Sequence, residues 1–119
     1  MVIITSNTIL YCRKWSETFE FYKDKLKFPI GFSNSWFVEF NLNPTSRLSI
    51  ANEKHTSMSS AEGKGITLTF HVEDLSGLFQ KLQNEGLDPL PITNHSWNAR
   101  VFHIFDPEGN RLEFWTPCA

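Results

Sequence analysis

Few side chains in this sequence have the types and spacing for chemistry. His103 and Glu113, joined by Glu39 or His71, could supply imidazole and carboxylate donors to a divalent metal. No Ser/His/Asp order, reactive-cysteine context, glycine-rich phosphate loop or Cys-x-x-Cys pair is present. The residues therefore leave two classes of function open, metal chemistry and non-catalytic binding of a ligand.

Composition excludes several other classes. The chain has 119 residues, enough for one domain with one core, and a net charge of -2 from 11 basic and 13 acidic residues. That balance predicts no nucleic-acid partner and no membrane-surface helix. The N-terminus lacks the pattern of a signal peptide or a membrane span, so we expect a soluble, cytoplasmic protein. Cys12 and Cys118 are too isolated for a disulfide framework or a zinc motif.

The elements that must position these side chains repeat along the chain. In the first half, the pattern predicts a strand at 8–12, a helix starting near an N-cap at Ser16, and strands at 36–40 and 47–51. The polar stretch 52–64 is typical of a connector. The apolar stripe of the helix is predicted to consist of Trp15, Phe19, Tyr22 and Leu26.

The second half repeats this order more clearly. Residues 66–72 alternate apolar and polar, which predicts a strand with one buried face. A helix capped by Asp74 and stopped by Gly86 follows. Two prolines then allow only an edge strand or a loop, before strands at 101–105 and 111–115 joined by a turn at 106–110. The helix stripe is predicted to consist of Leu75, Leu78, Phe79 and Leu82.

Overlaying the halves supports an internal repeat. The strand and helix match at an offset of 60, and the closing segment Arg47-Leu48-Ser49-Ile50 matches Arg111-Leu112-Glu113-Phe114 at an offset of 64. We therefore predict a single α+β domain over 1–119, with one module at 1–56 and a second at 64–119.

Two motifs resemble the vicinal-oxygen-chelate superfamily, which includes glyoxalase I, bleomycin-resistance proteins and extradiol dioxygenases. One is Phe21-Tyr22-Lys23-Asp24-Lys25-Leu26, similar to a helix end of that group. The other is Phe105-Asp106-Pro107-Glu108-Gly109-Asn110, continuing into Arg111-Leu112-Glu113-Phe114, similar to its closing hairpin. The resemblance implies two tandem βαβββ modules forming a cupped mixed sheet around a cleft, usually in a homodimer.

The resemblance also implies where metal ligands would lie. The metal enzymes of the group take ligands from the first and last strands of each module. Those positions are Asn7 or Thr8, Ser49, Thr67 and Glu113 here. Only Glu113 is a good ligand, because zinc, nickel and iron prefer imidazole and carboxylate. The departure favours the metal-free, bleomycin-resistance-like branch, so we expect neither a metal nor a cofactor.

Strand alternation, anchored on the ligand positions of the resemblance, predicts which side chains line the cleft. Thr67, Thr69, His71 and Val101 are expected on the cleft side, as are Arg47 and Ser49. The predicted ligand-binding residues are Phe37, Glu39, Trp97, His103, Phe105, Arg111, Glu113 and Trp115.

Each of these residues has an alternative role. Arg111 and Glu113 could satisfy each other as an ion pair, and His103 could make a structural hydrogen bond instead of acting as a ligand or base. Trp97 could clamp a flat ligand or contact a second copy of the chain. Trp115 is the main candidate for an aromatic platform.

Three functions are compatible with these residues. The leading hypothesis is a metal-independent protein that binds or sequesters a small aromatic or amphipathic molecule. The alternative is a metal-dependent lyase, isomerase or dioxygenase with a non-standard ligand set. A protein-interaction module with a degenerate cleft is the third, and no motif separates it from the first.

Overall fold

In a computed structural model, which describes residues 1–118, the chain divides into two compact units. The first unit is Met1–Glu62, and the second begins at Gly63. Each unit contains a four-stranded mixed sheet and one α-helix. None of the helices in the described part of the chain has the length and apolar character needed to cross a membrane.

The first unit has the strand order β1-β4-β3-β2. Strand β1 pairs with β4 in parallel, and the other two pairings are antiparallel. Its elements are β1 (Ser6–Cys12), α1 (Trp15–Glu20), a π-helical turn (Phe21–Lys25), β2 (Ile30–Ser33), β3 (Phe37–Asn43), β4 (Ser46–Asn52) and a 3₁₀ turn (Glu53–His55).

The second unit repeats that arrangement, with the order β5-β8-β7-β6 and a parallel pairing between β5 and β8. The predicted α+β fold of two βαβββ modules is therefore confirmed. Its elements are β5 (Thr67–His71), α2 (Leu75–Asn84), β6 (Thr93–His95), β7 (Ala99–Phe105) and β8 (Arg111–Pro117).

The second helix begins and ends where the sequence predicts. The Asp74 side chain accepts a hydrogen bond from the Gly77 backbone N–H at 3.0 Å, and Gly86 adopts a left-handed φ of 77° after the last turn. Leu75 and Leu82 are buried. On the same stripe, Phe79 packs edge-on against Phe102 of β7, with 5.3 Å between ring centroids. The helix therefore covers one face of the second sheet.

The first helix differs from its prediction. Lys14 is the N-cap, without a side-chain cap, so Ser16 does not have the predicted role. The helix also changes pitch, because the Leu26 backbone N–H donates to the Phe21 carbonyl five residues back. The extra residue in that turn rotates the residues that follow it, including Leu26, away from the predicted stripe. Trp15, which precedes the turn, is only half-buried. Of the four residues in the predicted stripe, only Tyr22 is fully buried.

Strand β2 has no counterpart among the elements predicted from the sequence. All four of its residues are exposed, so it lacks the alternation that marks a half-buried strand. It lies at the edge of the first sheet, and its pairing with β3 contains a register shift between Ile30 and Phe32. Ile30 and Phe32 do alternate with Gly31 and Ser33, but a run of four residues is too short for a sequence pattern to distinguish a strand from a loop.

Candidate functional site

The second sheet has one face buried under α2 and one face that α2 does not cover. On β8, Leu112 and Phe114 are buried, and Phe114 packs against Phe102 with 5.3 Å between ring centroids. Successive side chains of a strand point to opposite faces. Arg111, Glu113 and Trp115 therefore lie on the other side, which we call the open face.

Strand register sorts the open face into three rows that run across β5, β8 and β7. Each row contains one residue from each strand, paired through its Cα positions. The outer row is Thr67–Arg111–Phe105, the middle row is Thr69–Glu113–His103, and the inner row is His71–Trp115–Val101.

The middle row centres on the carboxylate of Glu113, which has a hydrogen-bond partner on each side. The Thr69 hydroxyl donates to Oε1 of Glu113 at 2.8 Å, and Nε2 of His103 lies 3.0 Å from Oε2. The Glu113 and His103 side chains are 17% and 18% exposed, so both remain in contact with solvent. Each carboxylate oxygen thus has its own partner on a neighbouring strand.

These contacts determine the ionisation of Glu113. Partial burial raises the pKa of Glu113, but hydrogen bonds from Thr69 and His103 lower it, as do the charges of His103 and Arg111. The lowering effects are together larger than the effect of burial, so the pKa lies below the ordinary value of 4.5. Glu113 is therefore a carboxylate at neutral pH.

The outer row contains a cation beside an aromatic ring. Nε of Arg111 donates to the Thr67 hydroxyl at 3.1 Å, which holds one edge of the guanidinium group near β5. Phe105 is the cross-strand partner of Arg111 and is 53% exposed. A large apolar ring with that much exposure, next to a charged group, could contact a ligand.

His95 of β6 and Trp97 of the loop that follows it form an aromatic cluster with His71 and Trp115 of the inner row. The His71 ring stacks on Trp115 with 4.4 Å between centroids and an interplanar angle of 17°. Trp97 meets Trp115 nearly edge-on at 5.3 Å. The Trp97 indole N–H donates to Nδ1 of His95 at 3.1 Å, which holds the loop tryptophan in place. Trp115 is half-buried by these neighbours, whereas Trp97 is 50% exposed.

One residue on this face departs from its prediction. Val101 lies in the inner row, as strand alternation predicts, but it is fully buried. It lies directly across from Trp115, whose large side chain occupies the adjacent surface. Alternation predicts the face on which a side chain lies, but it cannot predict how far its neighbours cover it.

The first unit holds the other predicted site residues, Phe37 and Glu39. Glu39 lies 3.7 Å from Nε of Arg47 on the next strand. Phe37 is half-buried against Phe32 and Trp36, with centroid distances of 6.3 and 5.9 Å. The remaining six predicted residues, Trp97, His103, Phe105, Arg111, Glu113 and Trp115, belong to the second unit.

Two contributors to this face are absent from the predicted ligand-binding set. Thr69 donates one of the two hydrogen bonds to Glu113, and His95 accepts the hydrogen bond of the Trp97 indole. The alternation of residues 66–72 gives a signal for Thr69. Nothing in the sequence reveals the His95 contact, because it depends on the geometry of a loop.

The residues at the superfamily's metal-ligand positions do not fit a metal ion. The Ser49 hydroxyl donates to Oδ1 of Asn7 at 2.8 Å, so these two side chains satisfy each other. Thr67 bonds Arg111, and both oxygens of Glu113 already accept hydrogen bonds. Within residues 1–118, no group of three or more His, Cys, Asp or Glu side chains is placed to hold a metal.

Known proteins resemble this chain over nearly its whole length. The family model of the glyoxalase-like domain matches residues 5–118. The protein YraH of Bacillus subtilis (strain 168) is 27% identical over 118 residues, which covers 89% of this chain and 92% of YraH.

Solved structures show the same fold at lower identity. A glyoxalase/bleomycin resistance protein/dioxygenase from Nocardioides superposes with a TM-score of 0.81 at 18% identity, covering 99% of this chain and 85% of that one. Lactoylglutathione lyase from Agrobacterium tumefaciens superposes with a TM-score of 0.77 at 16% identity, covering 92% and 90%. The family match, the repeated βαβββ units and the closing hairpin agree, and the chain belongs to the glyoxalase-like domain family of the vicinal-oxygen-chelate superfamily.

Proposed function

We propose that this chain is a metal-independent protein that binds a small aromatic or amphipathic molecule on the open face of its second sheet. The observation that carries the proposal is the bonding of Glu113, the only good ligand type at the four family positions. Thr69 and His103 occupy its two carboxylate oxygens at 2.8 and 3.0 Å. A metal ion would have to share an oxygen that already accepts a hydrogen bond, and it would find Thr, Asn and Ser at the other positions.

The aromatic residues on either side of this carboxylate support a flat ligand. Phe105 lies in the outer row and Trp97 packs against Trp115 of the inner row, and the two rings are 53% and 50% exposed. Pockets for small molecules combine apolar and aromatic surface with a few polar groups that orient the ligand. Glu113 and Arg111 supply those polar groups here, within one row of each other.

A metal-dependent lyase, isomerase or dioxygenase is the alternative function. The structural neighbour from Agrobacterium tumefaciens is a lactoylglutathione lyase, but at 16% identity the likeness concerns the fold alone. Thr, Asn and Ser at the metal-ligand positions are poor ligands, so we do not assign a metal-dependent lyase activity to this chain.

The deciding experiment has two measurements on the purified full-length chain. Elemental analysis after preparation without chelators or metal resins is expected to find no stoichiometric metal. A tryptophan-fluorescence screen of planar aromatic compounds is expected to find binders, because Trp97 and Trp115 lie beside the open face. One bound zinc, nickel, manganese or iron per chain would overturn the proposal and favour the enzyme.

We also propose that the protein is a homodimer. The support is apolar surface that a solvated monomer would leave in water, because Ile3, Ile4, Phe32 and Met58 are each more than half exposed. A symmetric contact between two copies would bury such residues.

A further inference from the structure

Arg47 and Arg111 occupy corresponding positions near the start of the closing strands of the two units, β4 and β8. Both residues follow the hairpin turn, and both have an apolar residue next in the chain. Both are paired to the first strand of their unit, Arg47 with Asn7 and Arg111 with Thr67. The repeat thus places the same cation in the same setting twice.

The guanidinium group of Arg47 is bound by acceptors of the first unit. Its Nη1 donates to the carbonyl oxygens of Asn43 and Ser46 at 2.7 and 3.2 Å, and its Nη2 lies 3.4 Å from that of Pro44. Its Nε lies 3.7 Å from a carboxylate oxygen of Glu39, and the side chain is 22% exposed. A guanidinium group has five N–H donors, and here all three of its nitrogens contact acceptors of the first unit.

Arg111 has one hydrogen bond. Its Nε donates to the Thr67 hydroxyl at 3.1 Å, and the side chain is exposed. Its Nη1 and Nη2 atoms make no hydrogen bond, and Arg111 forms no ion pair, with any residue among 1–118. The bond to Thr67 restrains the guanidinium plane and leaves the four N–H donors of its fork unused.

A guanidinium group that is anchored through Nε and has a free fork is suited to a planar anion. The guanidinium fork matches the two oxygens of a carboxylate, and charge-assisted pairs of this kind are stronger than neutral hydrogen bonds. Phe105 adds an exposed aromatic ring directly across from Arg111. The two side chains together could contact both ends of an aryl carboxylate.

The negative charge of Glu113 favours a carboxylate over a phosphate as the bound anion. Glu113 is ionised and lies one row away from Arg111 on the same strand. Its negative charge repels a dianionic phosphate more strongly than a singly charged carboxylate. Glu113 accepts hydrogen bonds from Thr69 and His103, and Arg111 forms no ion pair with it, so the Arg111 fork remains available to a ligand.

We propose that the open face binds an aromatic carboxylate, with its carboxylate group on the fork of Arg111 and its ring against Phe105. This inference rests on the proposed small-molecule-binding function and adds the chemical class of the ligand. It assigns Arg111 the role of the residue that distinguishes an acid from its neutral analogue.

The test compares two probes of nearly identical shape, naphthalene-2-carboxylate and naphthalene-2-carboxamide. Titration calorimetry on the full-length chain at pH 7 is expected to show the carboxylate binding about tenfold more tightly than the carboxamide. Arg111→Gln is expected to reduce that preference to within about twofold. Thermal unfolding of the variant should change little, because the side chain is exposed.

Arg100→Gln is the matched control. It removes the same charge from neighbouring β7, but on the face covered by α2, where its Nη2 lies 3.5 Å from the Ser76 hydroxyl. This variant should keep the tenfold preference. An equal loss in both variants would show a general charge effect and overturn the inference. Equal binding of the two probes to the unchanged protein would also overturn it, while leaving the proposed binding function standing.

Discussion

His103 and Glu113 face each other across β7 and β8, with 3.0 Å between Nε2 of the histidine and Oε2 of the carboxylate. The carboxylate is ionised at neutral pH, so the imidazole nitrogen must donate. The contact lies on the face of the sheet that α2 does not cover. It therefore links the stability of the second sheet to the protonation of a group that a ligand could reach.

Replacing Glu113 should change how stability depends on pH. The folded state lowers the pKa of this carboxyl, so its contribution is complete above the unfolded value of about 4.5 and is lost as pH falls through the lower folded value. Glu113→Gln should lower the free energy of unfolding by about 1–2 kcal/mol at pH 7. Urea unfolding from pH 7 to pH 3 should show this difference shrinking below pH 4.5.

Glu73→Gln supplies the comparison, because Glu73 is exposed and its side chain makes no hydrogen bond or ion pair within residues 1–118. We expect that variant to follow the unchanged protein at every pH. A constant difference between Glu113→Gln and the unchanged protein down to pH 3 would contradict the link between protonation and stability.

The turn in the family motif should depend on Asp106. This buried side chain accepts hydrogen bonds from the backbone N–H groups of Glu108 and Asn110 and from the Asn110 amide, each at 2.9 Å. Asp106→Ala should lower the free energy of unfolding by about 2–4 kcal/mol, because it leaves buried donors unpaired. Asp74→Ala, which removes one exposed helix cap, should cost only about 1 kcal/mol. Chemical denaturation that ranks the two variants in the opposite order would contradict this assignment.

Gly63, which approaches this turn, and the nearby Gly65 allow a steric clash to be distinguished from the cost of a left-handed backbone. Gly63 and Gly65 have similar left-handed φ values of 78° and 72°. A Cβ on Gly63 would overlap the carbonyl oxygen of Gly109, whereas a Cβ on Gly65 would meet open space. Gly63→Ala should therefore cost about 3 kcal/mol and Gly65→Ala about 1 kcal/mol, measured by thermal unfolding. Equal losses would mean that the close approach to Gly109 is absent.

The two tryptophans beside the open face should differ in their structural importance. Trp115→Ala removes a half-buried ring stacked on His71 and should cost about 2–3 kcal/mol in urea unfolding. Trp97→Ala should cost about 0.5–1.5 kcal/mol, because that ring is half exposed.

Both variants should weaken the binding of a planar probe about fivefold, since each removes an aromatic contact of about 1 kcal/mol. Trp15→Ala, on α1 of the first unit, should leave the affinity unchanged. Unchanged affinity in a folded Trp115→Ala variant would show that Trp115 is not a ligand contact.

Light scattering at micromolar concentration tests the proposed homodimer. The expected mass is about twice the 13.8 kDa of one chain, because association would bury part of the exposed apolar surface. A mass near 13.8 kDa would contradict the proposal. The mass of the Phe32→Ser variant, altered at the exposed edge strand β2, then tests whether that strand contributes to the contact between the two copies.

Much of the second unit could be predicted from its sequence, for a physical reason. Residues of β5 alternate strictly between apolar and polar, and α2 has a cap, an apolar stripe and a stop, so each local signal agrees with the final fold. The first unit agrees less well. The π-helical turn after α1 changes the helical period, and β2 is exposed on both faces.

The chemistry of the site was less predictable than its location. Alternation placed Arg111, Glu113 and His103 on one face. It could not show that Glu113 bonds His103 and Thr69 rather than Arg111, because rotamers decide between these partners. The contrast between Arg47 and Arg111 was also hidden, since sequence alone makes them equivalent.

The parallel pairing of the first and last strands in each unit has a consequence for synthesis on the ribosome. Strand β1 ends at Cys12, but its only sheet partner within residues 1–118, β4, begins at Ser46. The nascent β1 therefore has no sheet partner until more than thirty further residues have been added. The first unit can close once β4 has emerged, before β7 and β8 have been translated. We expect the two repeats to fold in sequence as the chain is made.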